Sequence, residues 1–225
     1  MENLNLFPLL LSLRVAGTTT LLAVLLGLPI AYFLSRPQQK WSELVDTLLT
    51  LPIVLPPTVL GYYLLVLMGR QSVIGKFLEN NFNIMIVFTP TGAVIAALVV
   101  SIPFLIKSAR TAFVQINPDI LNAAKLLGRS DLNIFFSIII PLAWRGIAGG
   151  VVLTFARSLG DFGTTLMVAG SIPDYTLTMP IAIYDAMMSG NTELSNFLVL
   201  IMTATAFSCL FLLNRLEKRV LKGGI

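Results

Sequence analysis

Arg157 and Asp161 stand four residues apart in an otherwise apolar stretch, so on a helix the guanidinium and the carboxylate share one face, with Ser158 beside them. Two chemistries suit such a pair. One is a gate or path element that meets a passing charge; the other is an internal ion pair that neutralises two costly ionised groups in an apolar setting. Both stay open on the residues alone. Covalent chemistry has little to work with elsewhere. The 225 residues contain no histidine, which removes the commonest general base and metal ligand. The one cysteine, Cys209, lies in an apolar run and can form neither an internal disulfide nor a thiolate cluster. No Gly-x4-Gly-Lys-Ser/Thr loop is present, so ATP is not bound by that motif.

The elements that position these residues are membrane spans. The chain is 56% hydrophobic and 12% charged, against roughly a quarter charged in soluble domains. Its mean hydropathy is +0.87. Apolar segments occupy about 9–34, 44–69, 84–106, 134–159 and 197–213, each near the ~20 residues a helix needs to cross a bilayer. The fold class expected is an all-α polytopic membrane protein, one domain over 1–225 with five transmembrane helices. Between the last two spans, Asp161 to Asn191 is cut by Gly163, Gly170, Pro173, Pro180 and Gly190 and is expected to be re-entrant or external. Met1 to Asn5 lacks the basic start of a cleaved signal, so the first segment is expected to belong to the mature chain.

Charge fixes the direction. With the N-terminus outside, the inner segments hold Arg36, Lys40, Lys107, Arg110, Lys125, Arg129, Arg215, Lys218, Arg219 and Lys222, ten of the fifteen basic residues. The outer loops hold only Arg70 and Lys76, a strong positive-inside bias. Arg14, Arg145 and Arg157 fall within spans, and Arg145, one turn past Pro141, can snorkel to the inner surface. The net charge of +4 is thus a membrane signal, and nothing in its distribution points to nucleic acid. Prolines recur within the spans. Pro56 and Pro57 at mid-span predict a broken helix of the kind that lines a cavity or path.

The loop between the third and fourth spans carries helix signals at both ends. Asn117 suits an N-cap, Pro118 the first turn and Asp119 the positive end of the dipole, while Gly128 suits the left-handed stop. A helix over about 118–127 places Ile120, Ala123, Ala124 and Leu127 on one face, small at its centre, where a partner's backbone can approach closely.

Asn122-Ala123-Ala124-Lys125-Leu126-Leu127-Gly128, nine further residues, then Ile138-Ile139-Ile140-Pro141 resembles the EAA loop of binding-protein-dependent ABC importer permeases. Asn122 replaces the Glu of that signature and Ile140 its Leu. Leu51-Pro52-Ile53-Val54-Leu55-Pro56-Pro57-Thr58 is similar to the second-span region of molybdate permeases. Phe155-Ala156-Arg157-Ser158-Leu159-Gly160-Asp161-Phe162-Gly163 is similar to a stretch shared by molybdate and sulfate permeases, with Asp for Glu. The resemblance implies a MetI-like permease fold in the cytoplasmic (inner) membrane and transport of molybdate, with tungstate undistinguished and sulfate or thiosulfate as the sibling choice. A secondary transporter or channel is disfavoured by the coupling-type loop. The resemblance further implies a homodimer of this permease, two ATP-binding-cassette subunits that carry ATP and Mg, and a periplasmic molybdate-binding protein. Asn122, Ala123, Ala124, Leu127 and Gly128 are then the expected ATPase-coupling residues. Pro56, Pro57, Arg157, Ser158 and Asp161 are the expected path or gate, with no catalytic residue, metal or cofactor in this chain.

The charge count makes a topology prediction. A reporter fused after Lys222 is expected to work only if it needs the cytoplasm. A periplasm-dependent reporter active at that position would overturn the five-span count.

Overall fold

A backbone in hydrocarbon must close its own hydrogen bonds, and in the computed structural model all regular structure among the described residues is helical. The structure describes residues 6–36 and 42–222, without side chains at 42 and beyond 215. Lys40, and the side chains of Lys218, Arg219 and Lys222, lie outside the described residues. In chain order the helices are α1 (Phe7–Leu34), α2 (Ser42–Val54), α3 (Pro57–Met68), α4 (Val73–Phe82), α5 (Pro90–Val114), α6 (Pro118–Leu126) and α7 (Asp131–Ile134). A π-turn over Phe135–Ile139 leads into α8 (Ile140–Leu159), followed by α9 (Gly163–Ala169), α10 (Met179–Met188) and α11 (Thr192–Lys222). Four helical runs are long and apolar enough to cross a membrane: α1, α5, Asp131–Leu159 and Thr192–Arg215. The α2–α3 pair makes a fifth if taken as one broken span.

Several boundaries differ from the hydropathy reading, the last span beginning at Thr192 and not 197; two have a clear local reason, and the expected break at Pro56–Pro57 is present. The third span begins at Pro90, not Ile84, because Thr89 caps it by accepting from the Gly92 amide at 3.2 Å; it then runs on to Val114. The fourth run starts at Asp131, where Ser130 accepts from the Asn133 amide. The segment over 44–69 is two helices bent by 115°. Pro57 excludes the helical region for the residue before it, and Pro56 adopts φ −56°, ψ 138°, ending one helix and capping the next. The π-turn has a similar cause. Pro141 has no N–H to give to the fourth residue back and would crowd its carbonyl, and the wider turn just ahead of it relieves both.

α5 is the central helix, packed between α1 and α8 and buried along Ala93, Ala96, Ala97, Val100, Leu105, Ile106 and Ala109. Lipid is as apolar as leucine, so these helices associate through close packing and polar contacts instead of water exclusion. Close packing is visible at the glycines. A Cβ at Gly146 would stand 2.4 Å from the Ala112 Cβ, and one at Gly150 would stand 3.0 Å from Leu105 and Ser108. Hydroxyls add bonds between helices. Ser108 donates to the Gly146 carbonyl at 2.6 Å, Thr19 to the Val94 carbonyl at 3.3 Å and Thr154 to the Ser101 carbonyl at 3.4 Å. Such bonds average about 0.6 kcal/mol in membranes, so they orient helices more than they hold them.

Gly146→Ala is therefore expected to lower the Tm of the purified chain in detergent by overpacking, at a cost of about 1–3 kcal/mol. Ala112→Gly in the same chain is expected to recover part of the loss, because the clash is with that methyl. A double variant no better than the single one would place the strain elsewhere.

Candidate functional site

Two groups of residues emerge at opposite ends of α8. The first is the loop helix α6. Asn117 Oδ1 accepts from the Asp119 amide at 2.9 Å, Pro118 occupies the first turn, and Lys125 sits in the last. The helix stops in a Schellman arrangement. The Gly128 amide donates to the Lys125 carbonyl at 2.9 Å and the Arg129 amide to the Ala124 carbonyl at 3.1 Å, with Gly128 at φ +77°. The helix ends at Leu126, and Leu127 is its C-cap.

A clamp then ties α6 to the bundle. Asp131 takes Lys125 Nζ on Oδ1 at 3.5 Å and Arg36 Nη2 on Oδ2 at 3.4 Å, joining α6 to the end of α1. Arg36 also donates to the Tyr32 hydroxyl at 3.0 Å and lies 4.7 Å from that ring centroid. The hydroxyl, and secondarily the Asp131 carboxylate, raise the guanidinium pKa above its ordinary value, so Arg36 stays charged. Below this, Phe113 packs edge to face on both Tyr32 and Phe135, which are themselves tilted at 45° to each other.

The structure divides the expected coupling face. Ala124, 6% exposed, turns inward with Leu121 onto the cluster that contains Leu34, Phe113, Ile134 and Phe135. Ile120, Ala123 and Leu127 face outward, joined by Leu126 at 90% exposed and Leu132. One face was expected to meet a partner; instead Ala124 seats the helix on its own chain and its neighbours form the free apolar patch. The reason is that a helix this short needs a tertiary seat, which Leu121 and Ala124, three apart, supply. Asn122 is exposed and, with Arg36, Lys125 and Phe113, lines a groove of about 750 Å³.

At the other end of α8, Arg157 Nη1 meets Asp161 Oδ1 at 3.2 Å. Asp161 Oδ2 accepts from both the Thr165 amide, at 3.0 Å, and the Thr165 hydroxyl, at 2.7 Å. The Asp161 side chain is 1% exposed, with both oxygens committed to holding α9 against α8. Ser158 is buried and donates to the Phe155 carbonyl. Of the two readings of this pair, the geometry matches the internal ion pair. Pro57 is brought close to it: the Thr164 hydroxyl donates to the Pro57 carbonyl at 3.3 Å, and a Cβ at Gly163 would stand 3.0 Å from Pro57. Pro56 and Pro57 are themselves exposed on this single chain. Sequence reasoning missed the role of Asp131 and the tie from Thr164 to Pro57, since each joins residues about a hundred apart. Asp131 offered one signal, an acid at the first turn after a Ser cap.

Residues 23–222 match the model of a family described as "Binding-protein-dependent transport system inner membrane component". The chain is 40% identical over 208 residues to the putative molybdenum transport system permease protein YvgM of Bacillus subtilis, covering 92% of each. It is 41% identical over 184 residues to the molybdenum transport system permease protein ModB of Escherichia coli K12, covering 82% of this chain and 80% of that one. Among solved structures, an inward-facing MetNI methionine ABC transporter chain superposes with a TM-score of 0.75 at 16% identity, covering 95% of this chain and 94% of that chain. A bacterial alginate ABC transporter, in complex with an alginate-bound periplasmic protein, gives 0.74 at 16% identity, covering 97% and 81%. These two likenesses concern the fold.

The divided face of α6 separates two variants. Ala123→Arg is expected to leave the Tm of the isolated chain unchanged but to prevent binding of an ATPase subunit, measured by co-purification. Ala124→Arg is expected to lower the Tm as well, because it forces a charge into the packed cluster. Full binding by Ala123→Arg would mean that the outward patch is not the contact.

Proposed function

The chain belongs to the family of binding-protein-dependent transport system inner membrane components, and on that footing we propose that it is the permease subunit of a molybdate importer. The observation that carries the substrate is the pair of molybdenum permease relatives, at 40–41% identity over most of both chains. A protein of this family does no covalent chemistry on its cargo. Two copies of this chain would enclose the path about a two-fold axis. Two ATPase subunits, holding ATP and Mg, would bind on the inner side, and a periplasmic binding protein would deliver the anion. The N-terminus would face the periplasm and the C-terminus the cytoplasm, in keeping with the basic residues.

Within that assembly the residues divide the work. The outward patch of Ile120, Ala123, Leu126 and Leu127 has the apolar character and exposure of a protein contact outside the spans. ATP binding would pull on α6, and the Asp131 clamp and the Ala124 seat give two routes by which its displacement reaches α1 and α8. The nucleotide shifts the equilibrium between inward-open and outward-open forms only by as much as its partner's contacts with α6 differ between them. Asp161, Arg157 and Pro57 would hold the outer ends of α8, α9 and α3 as one body during that change.

Deleting this chain is expected to abolish high-affinity molybdate uptake, with molybdenum-dependent enzyme activity restored by high external molybdate. Loss of sulfate uptake with molybdate uptake intact would move the substrate to the sibling oxyanion.

A further inference from the structure

We infer that Lys107 and Arg145 form a weak receiving site for a free tetrahedral oxyanion at the inner end of the bundle. The inference rests on the proposed function, which it deepens. The site is made by the tightest helix crossing in the bundle core. Ser108 on α5 donates to the Gly146 carbonyl on α8, and Gly146 abuts Ala112. The residues preceding the two bonded ones, Lys107 and Arg145, thereby reach the same groove of about 880 Å³. Gln115 and Asn117 add amide donors, and Ile53, Phe104 and Leu153 supply apolar wall.

Two cations without an ion pair among the described residues meet in this groove, whereas several others are matched by a carboxylate. Arg110, three residues on from Lys107, is matched by Asp46 at 2.9 Å; Arg36 and Lys125 share Asp131, Arg70 has Glu79 and Arg157 has Asp161. Lys107 and Arg145 have no ion-pair partner among the described residues, and no carboxylate lines the groove. Two positive charges lining one groove make a locally positive field that draws an anion into it. The guanidinium offers a fork and the ammonium a point charge to oxygens at tetrahedral spacing. Both side chains are exposed and keep much of their hydration, so they attract a dianion without trapping it. Asn117 and Ile120, at the start of α6, line the same groove, which sets the waiting anion next to the helix expected to move. The phosphate headgroup of an anionic lipid shares this chemistry, and the test separates the two sources.

The test places a thiol in the groove as Thr111→Cys, with Cys209→Ser, in the complete transporter reconstituted in phosphatidylcholine vesicles. The complex lacking both cysteines in this chain gives the background. An anionic methanethiosulfonate is expected to react faster than a neutral one by about tenfold relative to a free thiol, as a locally positive field requires. Millimolar molybdate or sulfate is expected to slow the anionic reagent, while chloride at equal ionic strength does not. Lys107→Gln with Arg145→Gln should abolish both effects and slow uptake severalfold; Lys107→Arg with Arg145→Lys should keep them. Equal rates for the two reagents, or no slowing by either oxyanion, would overturn the site. Slowing that appears only when phosphatidylglycerol is added to the vesicles, without response to oxyanion, would assign the groove to lipid and equally overturn it. Uptake by the parent complex is measured in parallel. A parent that carries sulfate and not molybdate ends the molybdate reading, yet leaves the site standing if sulfate still protects the thiol.

Discussion

At Gly146 the backbones of α5 and α8 come so close that one added methyl would stand 2.4 Å from the Ala112 Cβ and 3.2 Å from the Ser108 carbonyl. Much of the molecule hangs on that approach. In hydrocarbon no water is released when two helices meet, so attraction comes from atoms packed within van der Waals range and from hydrogen bonds that lipid cannot replace. The crossing supplies both, through Gly146, Gly150 and the bond from Ser108. It sets α8 against α5, and α1 lies along the same central helix, where a Cβ added at Gly27 would stand 3.3 Å from Leu105. The connection between α5 and α8, which contains α6, therefore leaves and rejoins a fixed frame.

A fixed frame explains how a nine-residue helix can hold one position. Alone it would be marginal. Here its start is capped by Asn117, its end is closed by the Gly128 turn, and its inner face is held by Leu121 and Ala124. The ion pairs of Asp131 are half-exposed and each is worth little as stability. Their importance is directional, because one carboxylate links α6, α7 and the end of α1.

The other end of α8 works by a different device. Pro56 and Pro57 end α2 and aim α3 away from it at 115°, a break that would strand polar groups if nothing met them. α9 packs on the start of α3, with the Thr164 hydroxyl donating to the Pro57 carbonyl and glycine at 163 allowing close approach, and Asp161 anchors α9 to α8 through Thr165 and Arg157. A buried carboxylate with one oxygen on a cation and the other on a helix amide joins α8 to α9.

The spans, the loop helix and its boundary residues were legible because each depends on composition and spacing within a few tens of residues. Asn117-Pro118-Asp119 and Gly128 specify the ends of α6 through local caps, and the Pro56–Pro57 break follows from the absence of an N–H. The family was legible for the same reason, since its signature is a spacing. Which side of α6 faces outward was not. Periodicity places Ala123 and Ala124 together, but only the cluster of Leu34, Phe113, Ile134 and Phe135, drawn from three distant segments, decides that Ala124 turns in and Ala123 turns out. Arg157 and Asp161 were legible as a pair, and the bonds from Thr165 to Asp161, four residues apart, are equally local, whereas the tie from Thr164 to Pro57 is tertiary. The meeting of Lys107 and Arg145 in one groove is also tertiary. They are 38 residues apart, like the Ser108–Gly146 bond beside them, and no local rule links them. Sequence fixes what each helix is and where it stops; which faces touch is set by the depth to which neighbouring backbones can approach, a property of two surfaces at once.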